Sequence, residues 1–380
     1  MHEHKHNQCK RKVKHRKNVM KLIIFCITVG ISLMFIYYQN LRKEIDARQK
    51  WLETVLTGEK KWILENQGPE GEFYMNGSKA GDVNPYFACM AALGLLAETK
   101  NCPITETEKK AVGRYLDWHT GILLETDGKM GIYRKESGKL IYKEKADSED
   151  GYLGMYLFLM GKYLEKTEST DLPEYWKKGI SLALKKIQSL MQDGITQVSE
   201  ENTTVYLMDN LEVWKGLYEL EHAGLKDVQA IREMRNKLQA QIEKLFWDDA
   251  NQRWRIIENS DLYHQKEFYP DGVAQIYPLI YEFPVKEKKK QKILYEQFTE
   301  KFQWQKLNKK RNGFLWAMTG MAAAQMGDIN NLLEMIRNYE AEYCENRKYP
   351  LYTGEAGWIC MECEKLYSLY ERKIKTGFLV

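Results

Sequence analysis

"GYLGMYLFLMGKYL", residues 151–164, places apolar, aromatic or small residues on every side of the helix it would form, with Lys162 its one charge. A helix apolar all round is buried all round. The runs "PYFACMAALGLLA" (85–97) and "GFLWAMTGMAAAQMG" (313–327) have the same character, and 206–220, 270–283 and 355–370 share it less purely. Between them lie amphipathic stretches. In 174–192, Trp176, Ile180, Leu184, Ile187 and Met191 step by three and four, with lysines on the other face. The segment 226–246 repeats this with Val228, Ile231, Met234, Leu238, Ile242 and Leu245, and 46–66, 105–124, 287–303 and 328–342 fit the class. No sustained strand is expected past the N-terminal region. Six buried helices alternating with six half-exposed ones imply an inner ring inside an outer ring, an all-α (α/α)6 barrel of six helical hairpins. The buried runs begin near 84, 147, 209 and 271, a spacing of 62 or 63 residues that suits one hairpin with a long loop.

Charge is uneven along the chain. Residues 1–21 hold eight Lys/Arg against Glu3 alone, so the formal net charge of +4 belongs to the tail, and residues 22–380 are slightly acidic. A nucleic-acid partner is not expected, since it would need a basic patch on the folded body. "LIIFCITVGISLMFIYY" (Leu22–Tyr38) follows, seventeen residues without a charge. At 1.5 Å per residue it just spans a bilayer core of roughly 30 Å, and the run is long for a signal peptide. The expected organisation is a basic cytoplasmic tail (1–21), a single-pass transmembrane anchor (22–38) and an extracytoplasmic toroid domain (39–380), oriented by the positive-inside rule. Cys360 and Cys363 form a C-x-x-C with no second Cys or His pair nearby, and read as small core residues. No cofactor or metal constellation is expected, and no EF-hand loop occurs.

Alternation has a geometric consequence. All six inner helices point one way, so their N-termini surround one mouth of the barrel. The residues there are Asn84-Pro85-Tyr86, Asp147-Ser148-Glu149-Asp150 with Tyr152, Asp209-Asn210 with Glu212, Tyr269-Pro270-Asp271, Asn312 to Trp316, and Thr353 to Trp358 including Glu355. Taken singly, Asn84, Asp147 or Asp150, and Asp209 read as helix caps. Caps explain neither clustered carboxylates nor aromatic residues in the same turn of nearly every hairpin. Rings that stack on pyranose faces, beside acids and amides that take hydroxyls, are what a sugar site needs.

On the segments "NPYFACMAALGL", "ADSEDGYLGMYLFL", "YLMDNLEVWKGL" and "YPDGVAQIYPL", the chain resembles a bacterial branch of the six-hairpin glycosidase superfamily, over roughly residues 50–360. That resemblance implies an (α/α)6 toroid with its cleft at the N-terminal mouth of the inner helices. A weaker likeness is to glycoside hydrolase family 8. "PEGEFYM" (69–75) is similar to that family's S-E-G-x-x-Y-G-M, whose Glu is the general acid, and implies that role for Glu70. Pro69 replaces the Ser and the run is one residue shorter. "ADSEDGYLG" resembles the family's A-x-D-A-D, with Asp147 and Asp150 one residue too far apart.

Glycoside hydrolysis needs a protonated carboxyl for the leaving oxygen and a second carboxylate to activate water or attack. Glu70 and Asp147 are the candidate acids, and Asp209 and Asp271 the candidate bases. Asn84, Tyr86, Asp150, Tyr152, Asn210, Glu212, Tyr269, Trp316, Glu355 and Trp358 are the candidate substrate contacts. The expected function is hydrolysis of a cell-envelope or exported polysaccharide, with polysaccharide synthesis or export machinery a possible partner. The alternatives are a non-catalytic glycan-binding or assembly protein, and a sugar epimerase or isomerase. The last would use histidines at the mouth, and His119, His222 and His264 stand at no inner-helix start.

Overall fold

A computed structural model describes residues 2–77, 81–136, 139–169, 171–258, 267–307 and 313–376, with backbone alone for 2–19 and 376. Asn312 and His264 lie outside the described residues. Twelve α-helices follow in order among the described residues: α1 (His2–Glu65), α2 (Pro85–Leu95), α3 (Glu106–Glu125), α4 (Glu149–Thr167), α5 (Glu174–Leu190), α6 (Leu207–His222), α7 (Gln229–Phe246), α8 (Val273–Ile280), α9 (Lys288–Phe302), α10 (Thr319–Met326), α11 (Ile329–Tyr339) and α12 (Thr353–Thr376). The chain divides into two compact units, residues 1–52 with 372–380, and residues 53–371. In the first, the stretch of α1 that begins at Met20 is long and apolar enough to cross a membrane, and Leu22, Phe25, Leu33 and Phe35 are exposed on it.

The second unit is the two-ring barrel. Even-numbered helices α2 to α12 form the inner ring; the end of α1 and α3, α5, α7, α9 and α11 form the outer one. Burial follows the two classes. Leu153 and Tyr156 of α4, Leu217 of α6 and Ala323 of α10 are buried, and α4 is buried continuously from Glu149 to Met160. In α5 only one stripe is covered, by Trp176, Ile180, Ala183, Ile187 and Leu190.

Glycines set the inner spacing. A Cβ on Gly154 of α4 would stand 2.7 Å from the Val213 nitrogen of α6, and one on Gly216 would stand 2.3 Å from the Gly154 carbonyl. Further along, a Cβ on Gly161 would meet Glu219 at 2.5 Å. The register advances in both helices together, so α4 and α6 run parallel, as neighbouring inner helices must. The pair α2 and α12 repeats the arrangement where the ring closes: a Cβ on Gly94 would lie 2.4 Å from Gly357 Cα, and one on Gly357 2.1 Å from the Met90 carbonyl. Closure of the outer ring is polar. Glu59 of α1, fully buried, accepts from the Tyr339 hydroxyl of α11 at 2.7 Å and from Arg347.

Connections are long at the mouth and short at the opposite end. At the mouth they carry β1 (Asp82–Val83), β2 (Gly131–Glu136) and β3 (Lys139–Lys145) as one antiparallel sheet, and the two-residue hairpins β4 (Met191–Gln192) with β5 (Ile195–Thr196) and β6 (Trp247–Asp248) with β7 (Arg253–Trp254). The β2–β3 hairpin corrects the expectation of no sustained strand. Its "IYRKE…KLIYKEK" alternates weakly because β3 is exposed along most of its length, so half-burial leaves little mark on the sequence. A second correction concerns 313–327, read as one helix. Gly313–Met318 is not helical and α10 starts only at Thr319.

The glycine contacts make a directional prediction. Gly154→Ala drives a Cβ into backbone, and overpacking of that kind costs about 1–3 kcal/mol, more than the roughly 1 kcal/mol of helix propensity gained. Gly121 in α3 has nothing within 4 Å of its would-be Cβ. Thermal melts should therefore show Gly121→Ala raising the melting temperature and Gly154→Ala lowering it.

Candidate active site

The close approach of α4 and α6 brings two first turns side by side, and with them four carboxylates. Glu212 of α6 is buried, its Oε1 accepting from the hydroxyls of Tyr86 on α2 and of Tyr277 on α8, the latter at 2.5 Å. The Tyr281 hydroxyl stands 3.4 Å from the same oxygen. Oε2 turns toward Gly151, where a Cβ would lie 2.6 Å away. Burial pushes the Glu212 carboxyl up to about 7, with Asp150 and Asp147 adding to the rise and the tyrosine hydroxyls opposing it.

Asp150 of α4 is fully buried. Ser148 Oγ donates to its Oδ1 at 2.8 Å and the Gly151 amide at 3.0 Å, while Thr196 Oγ1 of β5 stands 2.7 Å from Oδ2. Thr196 Oγ1 also stands 2.8 Å from Asn210 Oδ1. A hydroxyl has one hydrogen and can serve only one of these acceptors. A protonated Asp150 resolves the conflict, donating to Thr196, which donates to Asn210. Burial agrees with this, raising the Asp150 carboxyl to about 6.

Asp209 keeps a partly exposed surface between these groups. Burial raises its pKa well above the ordinary carboxylate range, followed by the Asp150 and Glu212 carboxylates and, more weakly, Asp147, while a hydrogen bond with Ser148 opposes them. It is not a cap. The N-cap position of α6 is Tyr206, and no side chain caps that end. Ser148 is the N-cap of α4, accepting from the Gly151 amide at 3.2 Å; Asp150, inside the first turn, shares that amide at 3.0 Å. Asn84 does cap α2, accepting from the Tyr86 amide at 2.9 Å, and its side chain also hydrogen-bonds the buried Tyr152 hydroxyl.

Asp147 is exposed at the rim and acts electrostatically on Asp209, Glu212, Tyr152 and Tyr269. Asn210 faces away from the mouth, donating to the carbonyls of Thr196 at 2.9 Å and Tyr206 at 2.8 Å. Asp271 is buried in a kinked stretch, Phe268–Gly272, just before α8, in which Tyr269 has extended backbone. Glu70 is exposed on the loop after α1, where its amide donates to Glu72 and both carboxylates flank the Tyr74 hydroxyl. Trp358 lies deep in the core, its indole N–H on Met90 Sδ. Glu355 is buried with its carboxylate already occupied by three backbone amides.

Beside the acids runs an arc of rings, from the buried Tyr152 through half-buried Tyr86, Phe87, Phe314 and Trp316 to the exposed Tyr269. Tyr152 meets Tyr86 at 5.6 Å, Tyr86 meets Phe87 at 5.5 Å, and Phe87 stacks on Phe314 at 5.5 Å and 15°. Phe314 meets Trp316 at 6.0 Å, and Trp316 meets Tyr269 at 4.7 Å. Tyr269 completes the circuit to the acids, since burial and the charges of Asp209 and Asp147 push its hydroxyl up to about 12. Sequence reasoning missed Phe87, Tyr277 and Tyr281. The four-residue step from Tyr277 to Tyr281 was a signal that they share one helix face.

The raised carboxyls set a stability profile. A carboxyl whose folded pKa lies above its unfolded value binds its proton more tightly when folded, so it favours the folded state at low pH and that contribution is lost as pH rises through the folded value. For Glu212 and Asp150 the window runs from about pH 4 to 7. The melting temperature should therefore fall between pH 5.5 and pH 8, and Glu212→Gln, neutral throughout, should flatten that fall. An equally steep profile in the variant would remove Glu212 as its source.

No protein-family model and no curated protein sequence matches the chain. Solved structures do match. A glycosidase superposes with a TM-score of 0.61 at 11% identity, covering 85% of this chain and 98% of that one. A D-mannose isomerase gives 0.56 at 11% identity, covering 84% and 97%. An alpha-amylase from Clostridium perfringens gives 0.51 at 13% identity, covering 83% and 97%. Identities this low speak of fold alone, and the fold they share with this chain is the (α/α)6 toroid.

Proposed function

We propose that the protein is a glycoside hydrolase acting on a cell-envelope or exported polysaccharide, with Asp209 as the proton donor. One observation carries the reading. A partly exposed carboxyl, kept protonated by burial and by neighbouring acids, sits beside an arc of aromatic rings at a single barrel mouth. Sugar rings stack on such aromatic faces, and a carboxyl kept protonated near neutral pH is what general acid catalysis at a glycosidic oxygen requires.

In this reading the Asp209 proton passes to the leaving oxygen as the C–O bond breaks. Asp147, exposed at the rim, takes a proton from the water that attacks the anomeric carbon. Burial and Glu212, pinned by tyrosine hydroxyls, raise the proton affinity of Asp209, while Asp150, tied to Ser148 and Thr196, shares its proton network. Ser148 touches both Asp209 and Asp150, and offers a path by which the proton is restored. Glu70 keeps the acid role that the family 8 likeness implies as a second assignment, and Asp271 the base role.

The test uses the full chain in detergent micelles, incubated with envelope glycans and assayed for new reducing ends. Asp209→Asn should keep or raise the melting temperature, because it relieves carboxylate crowding, while turnover falls at least about a hundredfold, the scale of losing a general acid. Wild-type turnover in that variant would return Asp209 to a structural role, and a fall only in Glu70→Gln would move the acid to Glu70. Binding without cleavage would support the glycan-binding alternative, and conversion of free aldose to ketose the isomerase.

The eight Lys/Arg of residues 1–21 and the apolar run after them support an uncleaved anchor with its tail in the cytoplasm and the toroid outside. Protease added to intact cells should then digest the toroid and spare the tail. A secreted form beginning near residue 40 would overturn this orientation.

A further inference from the structure

Glu355 was expected to contact substrate, yet its carboxylate points into protein. Oε1 accepts from the amides of Leu315 at 3.2 Å and Trp316 at 3.1 Å, and Oε2 from the amide of Ala317 at 2.8 Å. A continuous helix through 313–327 would have turned the Ala317 amide onto the Gly313 carbonyl and left those of Leu315 and Trp316 among the unpaired amides of its first turn. Two turns further along α12, the buried Glu362 carboxyl lies against Gly320 and Met321, at the first turn of α10. Glu355 of α12 thus serves the backbone of three residues of the neighbouring segment, and the helix begins six residues later than its apolar sequence suggests.

The segment released in this way carries the aromatic arc. Trp316 is held at a φ of 59°, a left-handed conformation that non-glycine residues rarely adopt and that needs support from its surroundings. In that conformation its ring lies 4.7 Å from Tyr269, while Phe314, two residues earlier, stacks on Phe87. Three amides converging on one carboxylate are that support.

We infer that Glu355 is a positioning residue: its carboxylate shapes the 313–318 segment so that Phe314 and Trp316 form the sugar-stacking wall beside the acids. The wall's role in binding rests on the hydrolase reading above; the shaping of the segment does not. Glu355 touches no reacting atom in this scheme. Its removal should weaken substrate binding and leave the proton transfer at Asp209 intact. Charge-assisted bonds to backbone amides are roughly twice as strong as neutral ones, so the neutral isostere should hold the segment only in part.

The experiment compares full-length wild type, Glu355→Gln and Glu355→Ala in detergent micelles. Amide hydrogen exchange over 315–317, read by mass spectrometry, should speed up by about tenfold or more in Glu355→Ala and by less in Glu355→Gln, because local opening sets exchange there. On the glycan that wild type cleaves, KM should rise about tenfold in Glu355→Ala, with kcat within about threefold and partial rescue in Glu355→Gln; loss of uniform binding has that signature. Unchanged exchange over 315–317 in a folded Glu355→Ala would overturn the inference. So would a fall in kcat equally large in both variants, which would mark Glu355 as a group acting on the substrate itself. If wild type cleaves no glycan, the exchange experiment still decides the structural inference, and quenching of tryptophan fluorescence by cellohexaose, mannohexaose and N-acetylchitohexaose replaces KM. Should Glu355→Ala fail to fold, Glu355→Gln alone must show faster exchange over 315–317 than elsewhere in α10, or the inference fails.

Discussion

Two parallel helices packed backbone against backbone set the geometry of this mouth. Gly154, Gly161 and Gly216 remove the side chains that would hold α4 and α6 apart, and each would-be Cβ falls within 2.7 Å of a backbone atom. Parallel neighbours also align their first turns, so residues at the start of α4 must face residues at the start of α6. That is why Asp150 and Asp209 influence each other at all. The contact is unfavourable for charge and favourable for packing. It persists because an inner ring with side chains as spacers would open the barrel, whereas Gly94 and Gly357 close it by the same device between α2 and α12.

The protonation of Asp209 is then a contest among opposing terms. Helix N-termini favour a carboxylate in the first turn, by up to about 2 kcal/mol in partly buried geometries. Alone, this would depress its pKa. Burial and the neighbouring acids act the other way and win, since the net shift is well upward. Crowding has a structural cost, and the polar network limits it. Ser148 and Thr196 each bridge two acceptors with one hydrogen, an arrangement satisfied only when protons are shared among the acids. Glu212 differs in kind. Tyrosine hydroxyls fix its Oε1, so it is held in place more firmly than the acid it perturbs.

Much of this was legible in the sequence, because burial on all sides and burial on one side leave different periodicities. The two-ring fold followed from that difference, and Leu153, Tyr156, Leu217 and Ala323 are buried as it requires. Chemistry was less legible. An acid in a first turn looks the same whether it caps, pairs or waits for substrate; only the neighbouring helix distinguishes Asn84, which caps, from Asp209, which does not. Glu355 and the late start of α10 show the limit most clearly. The run 313–327 has a helical sequence, and the amides at its non-helical beginning are taken by a carboxylate some forty residues away in the chain. Periodicity is local information, and that competition is not local.

The far end of the barrel completes the electrostatic picture. Six parallel inner helices gather six negative dipole ends there, and cations should be drawn to them. Lys215 of α6 is buried between Glu219 at 2.7 Å and Glu282, just after α8, at 2.8 Å. Glu282 also receives Lys365 of α12 at 2.5 Å and Gln325 of α10 at 2.6 Å. Lys166 of α4 pairs with Glu98, just after α2, at 2.6 Å. Ion pairs thus gather at the ends of α2, α4, α6, α8 and α12, with Gln325 of α10 hydrogen-bonded to the same Glu282, and the lysines drive Glu282 down to about 2 against its burial. Here acids and cations match, and the carboxylates stay ionised and fixed. At the mouth, Asp150, Asp209 and Glu212 form no ion pair among the described residues, and burial and mutual crowding raise their proton affinity instead. The same parallel ring thus builds a closed, charge-balanced floor at one end and an unbalanced, proton-holding opening at the other. The raised carboxyls of Asp150, Asp209 and Glu212 lie at the mouth, which is also where the aromatic rings stand.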